Sequence, residues 1–439
     1  MDYLFRDVVA VLMDRDHSVL RGAYVGVEAG RIAYVGNTPP GTDAASGVAR
    51  AIDGRGCVLM PGLINAHTHL PMTLLRGHAD DAPLASWLSD HIWPAEARLD
   101  SRAVRAGTML ALAELLASGT VSVSDMYYFC DDIAACVAQS GLKANLSRAL
   151  MCPDGAFDAA HDERLREAVK LYADWHGFDD GRIVVEASIH AEYTSPPALW
   201  EAAARLALDN GMGMHVHVSE THREHEECLS RWGLTPTEVL DRHGAFGART
   251  TVAHGVWLTG GDMDILAARG ASVAHCPVSN LKLACGVARV SDMMSRGVNV
   301  ALGTDSAASN NSLDLWEEVK TAALLAKNEN GAPELFTAPD ALSLAVTHGA
   351  QAQGRAKETG QIAVGFDADL ILLDFDKPHL SPCRDPLSHL AYATRGSDVA
   401  MTMVRGKILY ENGSFPTIDV EKAKWEAEHY ALPLIFATQ

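Results

Sequence analysis

Eight short apolar segments, each followed by a helix-like segment, constrain the fold of this 439-residue chain most strongly. Apolar runs of this length are typical of buried parallel strands. The runs end near Ala66, Ser124, Leu146, Ser188, His217, Ala253, Ala274 and Leu302. Eight strand-then-helix units over about 290 residues predict an α/β fold, the (β/α)8 TIM barrel, whose catalytic groups lie at the C-terminal ends of the strands. The alternative is a doubly wound open sheet, but neither a G-x-G-x-x-G nor a P-loop motif supports a nucleotide-binding version of it.

Both ends of the chain have a different, β-rich pattern. Short strand-like pieces alternate with turn signals between Tyr3 and about Gly56, and the pattern returns after about Gly360. Because chain termini often lie close together, we expect the two ends to form one domain that flanks the barrel. The predicted division is a composite β domain from 1–58 and 358–420, a barrel from 59–357, and a helical tail from 421–439.

The charge balance and the cysteines limit the partners and the compartment. The chain has 36 basic and 56 acidic side chains and a formal net charge of −20. An acidic protein repels a polyanion, so we expect no nucleic-acid partner. The eight cysteines form no C-x-x-C pair, the first residues lack the basic and apolar regions of a signal peptide, and no run approaches the roughly 18 apolar residues of a membrane span. We therefore expect a cytoplasmic protein without a membrane partner, and the sequence is compatible with a homo-oligomer.

Two histidines, His67 and His69, stand at the end of the first predicted barrel strand. Residues two apart on an extended chain point to the same side, so both imidazoles can reach one ion, although two polar residues in a turn would look the same. The fifth strand adds His215 and His217, of which His217 is nearer the strand end and is the better ligand. Asp305 follows the eighth strand. Three neutral imidazoles and one carboxylate suit Zn²⁺ or Fe²⁺ with room for a bound water.

Further side chains near these strand ends can handle protons and charge. Glu220 lies just beyond the fifth strand, where it can move protons between an activated water and a leaving group or, alternatively, serve as a carboxylate at a helix N-terminus. His254 ends the sixth strand and can stabilise charge on an attacking oxygen. His222 and His225 are expected to be solvated on a charged helix. Neither H-E-x-x-H nor G-x-S-x-G occurs, so the metalloprotease and serine-hydrolase signatures are absent.

Several long segments carry a more specific pattern. They are Pro61–Gly77, Trp93–Glu96, His275–Ala284, Gly303–Asn311 and Gly360–Leu370. These segments resemble the 5′-methylthioadenosine/S-adenosylhomocysteine deaminase family of the amidohydrolase superfamily, and the resemblance covers almost the whole chain. It implies a barrel with a small split β-sandwich built from both chain ends.

The resemblance also implies a metal and the groups that act beside it. One divalent ion, zinc or else iron, would be held by His67, His69, His217 and Asp305. Binuclear relatives bridge two ions with a modified lysine at the end of the fourth strand, whereas this strand contains no lysine. The catalytic residues that the resemblance implies are Glu220 as the proton shuttle to the purine ring nitrogen, His254 beside the attacked carbon, and Asp305 as acceptor of a proton from the metal-bound water.

The same resemblance implies four substrate contacts besides Glu220. Glu96 would hold the ribose hydroxyls, and Arg148 and His190 would line the nucleoside site. Arg164 stands where the family can place a second arginine for the homocysteine carboxylate.

The sequence therefore predicts a hydrolytic deaminase that converts 5′-methylthioadenosine, S-adenosylhomocysteine or adenosine to the inosine analogue and ammonia. The same scaffold also suits guanine, another heterocyclic amine or a chlorinated triazine. A non-catalytic metal-binding protein descended from the enzyme is a further alternative, but it would have little reason to retain the metal ligands, Glu220 and His254 together. Ser306 and Glu192 stand where the family usually has Gly and frequently has Pro, so both are expected to affect substrate choice.

Overall fold

The computed structural model describes residues 1–41 and 47–436, and its amino-terminal part is a set of β-strands. These are β1 (Tyr3–Val11), β2 (Val19–Glu28), β3 (Arg31–Gly36), β4 (Arg50–Asp53) and β5 (Cys57–Pro61). Strand β1 pairs antiparallel with β2, and it pairs parallel with both β4 and β5. The strands begin and end near the turn signals of the sequence.

The next eight strands in the described part of the chain form one parallel sheet in chain order. They are β6 (Leu63–Thr68), β7 (Thr120–Tyr127), β8 (Lys143–Arg148), β9 (Ile183–Ala191), β10 (Met214–Val218), β11 (Thr250–His254), β12 (Ser272–His275) and β13 (Asn299–Leu302). Their residues are almost all buried, because one face points into the barrel and the other meets the surrounding helices. The predicted barrel is confirmed.

The barrel closes between β13 and β6. The backbone N–H of Asp305 donates to the carbonyl of His67 at 3.0 Å, and Thr68 and Asp305 form a β-bridge. Gly303 permits this close approach, since a Cβ at that position would lie 2.8 Å from the Cβ of His67. Closure therefore brings residues of the first and the eighth barrel strands into contact.

Helices cover the outside of the barrel. The longer ones are Ser101–Ala117, Cys130–Ser140, Glu163–Trp175, Pro197–Asn210, His222–Trp232, Pro236–Arg242, Gly260–Arg269, Leu315–Asn330, Ala338–Ala345 and Pro386–Tyr392. Side chains at N-cap positions begin several of them: Asp100 accepts from the N–H of Ala103, and Asp162 accepts from that of Leu165. Among the described helices, none has both the length and the apolar character needed to span a bilayer.

Three C-terminal strands return to the amino-terminal sheet. They are β14 (Leu370–Asp374), β15 (Val399–Val404) and β16 (Lys407–Glu411), and the helices Val420–Glu426 and Leu432–Phe436 follow them. Strand β14 pairs antiparallel with β5, which gives the order β16-β15-β14-β5-β1-β2-β3 with β4 beside β1. The predicted β unit from both chain ends is confirmed, whereas the domain boundaries given above stay predictions.

A buried lysine ties the barrel to the C-terminal segment. Lys143 on β8 is 1% exposed, and its Nζ lies 2.8 Å from Asp367 Oδ2 and 2.6 Å from Asp369 Oδ2. Lys143→Met removes the ion-pair partner that two buried carboxylates share. We therefore expect this substitution to lower the free energy of unfolding by about 3 kcal/mol. Denaturant unfolding followed by circular dichroism measures the loss, with the exposed Lys320→Met as the control. Equal unfolding midpoints for the two variants would contradict this expectation.

Candidate active site

A cavity opens at the C-terminal ends of the barrel strands, where barrel enzymes carry their active sites. Its histidines and acidic residues are His69, Glu96, His190, His217, Glu220, His254 and Asp305. Much of the remaining wall is apolar and includes Leu84, Trp87, Leu88 and Ile92 from the segment after β6. Polar groups that converge in a cavity with apolar walls are typical of a small-molecule site.

The four predicted metal ligands lie together: His69, His217 and Asp305 line this cavity, and His67 is buried beside them. One nitrogen from each of His67, His69 and His217 lies within 4.8 Å of the others. Asp305 Oδ1 is 3.6 Å from His67 Nε2 and 3.2 Å from His69 Nε2. His67 Nδ1 lies 2.9 Å from His215 Nε2, whereas His67 Nε2 is buried and has no hydrogen-bond partner among the residues described. A buried nitrogen without such a partner, close to other imidazoles and a carboxylate, fits coordination of a metal ion.

Backbone carbonyls orient two of these imidazoles. His69 Nδ1 donates to the carbonyl of Met126 at 2.5 Å, and His217 Nδ1 donates to that of His190 at 2.7 Å. With Nδ1 protonated, the neutral ring presents a free lone pair at Nε2. Burial holds the pKa of His217 well below its usual value, so this ring stays neutral, as a metal ligand must be.

Two serines fix the Asp305 carboxylate. Its Oδ2 accepts from Ser279 Oγ at 2.6 Å and from Ser309 Oγ at 2.7 Å, which leaves Oδ1 beside the histidines. Asp305 also has a left-handed backbone conformation, with φ of 59°. Strained non-glycine residues of this kind persist where the surroundings hold them in place, often at functional sites. Sequence reasoning missed both serines, although each lies within a segment that carries the family resemblance.

Glu220 and His254 face each other across 3.9 Å, measured from Glu220 Oε2 to His254 Nε2. His254 Nδ1 donates to Asn280 Oδ1 at 2.9 Å, a contact that the sequence did not predict. His254 also has a left-handed backbone, with φ of 70°. Burial raises the pKa of Glu220, so the carboxyl group can hold a proton nearer to neutral pH than an exposed glutamate can.

Glu96 lies in the same cavity and is bound by a tyrosine. Its Oε1 accepts from the hydroxyl of Tyr127 at 2.6 Å. Burial raises the pKa of Glu96 to about 7, although the hydrogen bond from Tyr127 acts in the opposite direction. Tyr127, at the end of β7, was also missed, because a tyrosine at a strand end has no spacing signature of its own.

The other predicted substrate contacts have different positions. His190 lines the cavity, with its ring centroid 4.9 Å from that of His217. Arg148 lies behind the cavity wall: its Nε donates to Glu167 Oε2 at 2.6 Å, and its guanidinium is 5.1 Å from the ring centroid of Tyr128. Arg164 pairs with an acid two residues before it, Asp162, and donates Nη1 to a backbone carbonyl at 2.6 Å. Neither arginine is among the residues that line the cavity.

The two departures from the family pattern also differ in position. Ser306 lines the cavity, and its Oγ accepts from the backbone N–H of Ser309 at 2.9 Å. Glu192 is buried, accepts from Arg231 at 2.6 Å and from Trp232 at 2.7 Å, and lies outside the cavity lining. Of the two, only Ser306 is placed to touch a ligand directly.

The helix His222–Trp232 corrects one expectation. His222 is exposed as predicted, but His225 is only 7% exposed, so the prediction of a solvated His225 is wrong. The reason is that Glu224, His225 and Cys228 form the buried side of this helix, where residues three and four apart share a face. Because most residues of this helix are charged, the sequence did not reveal its three buried positions.

A model of the amidohydrolase family matches residues 58–409. The chain therefore belongs to the amidohydrolase family, which confirms the resemblance inferred from its motifs. It is 42% identical to the 5'-deoxyadenosine deaminase of Methanosarcina acetivorans, over 99% of this chain and 98% of that relative. It is 44% identical to the 5-methylthioadenosine/S-adenosylhomocysteine deaminase of Dictyoglomus thermophilum, over 88% of this chain and 89% of that relative.

A solved structure is similar over the full length. The crystal structure of an adenosine deaminase from Xanthomonas campestris with bound zinc matches with a TM-score of 0.93 and 36% sequence identity. The match covers 100% of this chain and 99% of that one. The similarity thus extends over both the barrel and the sheet built from the chain ends.

Proposed function

We propose that this protein is a metal-dependent hydrolytic deaminase that converts an adenosine-type nucleoside to the inosine analogue and ammonia. The observation that carries the proposal is the convergence of three imidazoles, one aspartate and one buried glutamate at a single cavity. Two relatives at 42% and 44% identity are named as deaminases of such nucleosides, which supports it. The enzyme class is that of hydrolases acting on C–N bonds of cyclic amidines.

The proposed cofactor is one divalent metal ion held by His67, His69, His217 and Asp305. Three nitrogen donors and one oxygen donor favour zinc, with iron as the alternative. The zinc bound to the adenosine deaminase from Xanthomonas campestris supports this choice. When bound, such an ion lowers the pKa of a coordinated water and so makes a nucleophile available at neutral pH.

Three side chains are proposed to act on the reacting atoms. Glu220 donates a proton to the ring nitrogen next to C6 as water adds to that carbon, and one of the two protons of that water then returns Glu220 to its protonated form. Asp305 takes a proton from the attacking oxygen and passes it to the amino group, which leaves as ammonia. His254, oriented by Asn280, stabilises the charge that develops on the attacking oxygen. The carbonyl of the inosine analogue forms as the C–N bond breaks.

Four side chains are proposed to recognise the nucleoside. Glu96 holds the ribose hydroxyls, and His190 and Arg148 line the nucleoside site. Arg164 serves a substrate that carries a carboxylate at its 5′ end, such as the homocysteine part of S-adenosylhomocysteine. Because both guanidinium groups are already paired with acids, such a carboxylate has to compete with a resident partner.

A substrate panel tests the proposal directly. Adenosine, 5′-deoxyadenosine, 5′-methylthioadenosine, S-adenosylhomocysteine, guanine and a chlorinated triazine are assayed by ultraviolet absorbance and by released ammonia or chloride, with metal content measured on the same sample. We expect at least one nucleoside to be converted with one equivalent of ammonia. Turnover of guanine alone, release of chloride, or the absence of both metal and activity would overturn the proposal and favour, respectively, a guanine deaminase, a triazine hydrolase or a non-catalytic protein.

Substitution of Glu96 separates a nucleoside enzyme from one that acts on free bases. A hydrogen bond to a charged group contributes about 1.5–3 kcal/mol, so we expect Glu96→Gln to lower kcat/KM for nucleosides by roughly 10-fold to 100-fold. The rate with free adenine should change less than about threefold, because the base lacks the ribose. Asp90→Asn, an exposed position on the same segment, is the matched control. Equal losses with nucleoside and free base would contradict the role of Glu96.

The remaining proposals concern partners and compartment. All eight cysteines are free, and the net charge is −20. These properties support a small-molecule nucleoside, rather than a nucleic acid or a membrane, as the partner, and the cytoplasm as the compartment.

A further inference from the structure

Glu224 is a buried carboxylate that the proposed reaction does not use. It is 6% exposed and lies in the first turn of the helix His222–Trp232. Among the residues described, no lysine, arginine or histidine forms an ion pair with it. Its oxygens instead accept from two consecutive backbone N–H groups: Oε1 from Ser219 at 2.8 Å and Oε2 from Glu220 at 2.7 Å.

These two N–H groups belong to the Ser219–Glu220 turn, which sets the direction of the Glu220 side chain. His217 points into the barrel, so regular strand alternation would turn Ser219 inward and Glu220 outward. Ser219 has a left-handed backbone with φ of 51°, which breaks the alternation and lets Glu220 face the cavity. A left-handed serine is strained, so neighbouring groups must hold it in this conformation.

Helix capping alone does not account for this contact. In a capping box, a glutamate at the third helical position accepts from the N–H of the N-cap residue, which here is Thr221. The N-cap is supplied by the Thr221 hydroxyl, whose oxygen accepts from the N–H of Glu224 at 3.1 Å. The oxygens of Glu224 extend beyond the N-cap and accept from the N–H groups of Glu220 and Ser219, one and two residues before it.

We propose that Glu224 is a positioning residue: by accepting from both N–H groups of the Ser219–Glu220 turn, it holds the Glu220 carboxyl group towards the substrate. This inference rests on the proposed function, because it assigns Glu224 an effect through the catalytic role of Glu220. Without these two hydrogen bonds Glu220 is still present, but its carboxyl group is no longer held in the orientation that faces the substrate. A misplacement of about 1 Å in a reacting group can cost on the order of 100-fold in rate.

A double-mutant cycle tests the proposal with zinc-loaded protein and the nucleoside that the wild type converts fastest. We expect Glu224→Ala to lower kcat by about 30-fold to 100-fold, with KM within about threefold and metal content unchanged. In a Glu220→Gln background, the same substitution should lower kcat by less than about threefold, because its target is already disabled. Glu224→Gln should lower kcat by less than Glu224→Ala, since the amide keeps one acceptor oxygen. Because its volume is nearly that of glutamate, the same double-mutant cycle is repeated with this variant. Glu226→Gln, exposed on the same helix, is the control.

Equal losses in the two backgrounds would show that Glu224 supports the fold rather than Glu220, and would overturn the proposal. An unchanged kcat in Glu224→Ala would overturn it as well. If zinc-loaded wild-type protein converts no nucleoside, the proposed function fails together with this inference. If nucleosides are converted but the losses are additive, only the role of Glu224 fails.

Discussion

Replacing Glu220 with glutamine should retain the metal and lower kcat by roughly 1000-fold, since general acid–base catalysis contributes about 10²-fold to 10⁴-fold. The amide has nearly the same size and can still hydrogen-bond, but it cannot give up a proton at neutral pH. Burial raises the pKa of Glu220, which favours the proton-donor role proposed for the native carboxyl group. KM should change little, because the lost interaction belongs to the transition state.

Steady-state kinetics and metal analysis on the same preparation check this result. Glu227→Gln, an exposed position on the following helix, should behave as the wild type. Ammonia release at an undiminished rate from Glu220→Gln would remove Glu220 from the proposed mechanism, and a different proton donor would then have to be sought among the cavity residues.

Loss of the metal should lower the activity at least as much as Glu220→Gln does. We expect chelation to lower activity by about 1000-fold or more, because a bound ion contributes several kcal/mol and each 1.36 kcal/mol is tenfold in rate. Added zinc should restore the activity. His217→Ala should lower both metal content and kcat, whereas His222→Ala, five residues further on and exposed, should leave both unchanged.

Metal occupancy is measured by elemental analysis before and after chelation. Full activity in protein shown to contain less than about 0.05 equivalents of metal would exclude a metal-dependent reaction. If iron rather than zinc restored the rate, the ligand assignment would stand and only the choice of ion would change.

The barrel could be predicted because its strands are buried on both faces. Such strands appear in the sequence as continuous apolar runs, and their ends are marked by polar residues such as His69 and His217. The candidate metal ligands could be proposed for the same reason, since each lies at or just beyond a strand end. The fold then brings them together through closure between β13 and β6, where Asp305 meets His67.

The groups that orient these ligands could not be predicted. Ser279, Asn280 and Ser309 come from short loop-proximal helices, and a hydroxyl or amide there has no periodicity that separates it from ordinary turn chemistry. The orientation of the Arg148 side chain could not be predicted either, because its partner Glu167 lies 19 residues away on a separate helix. Strand-end position indicates which residues can reach the site, but not which way a long side chain turns.

The antiparallel pairing of β5 with β14 has a consequence for biosynthesis. The two strands are about 310 residues apart in the chain, and at about 5–20 residues per second the ribosome needs roughly 15–60 s to make that length. During this interval β5 has emerged without its neighbour, and a strand with an unpaired edge is open to pairing with other chains. The newly made amino-terminal strands are therefore the part of this protein for which protection by a chaperone during translation should matter most.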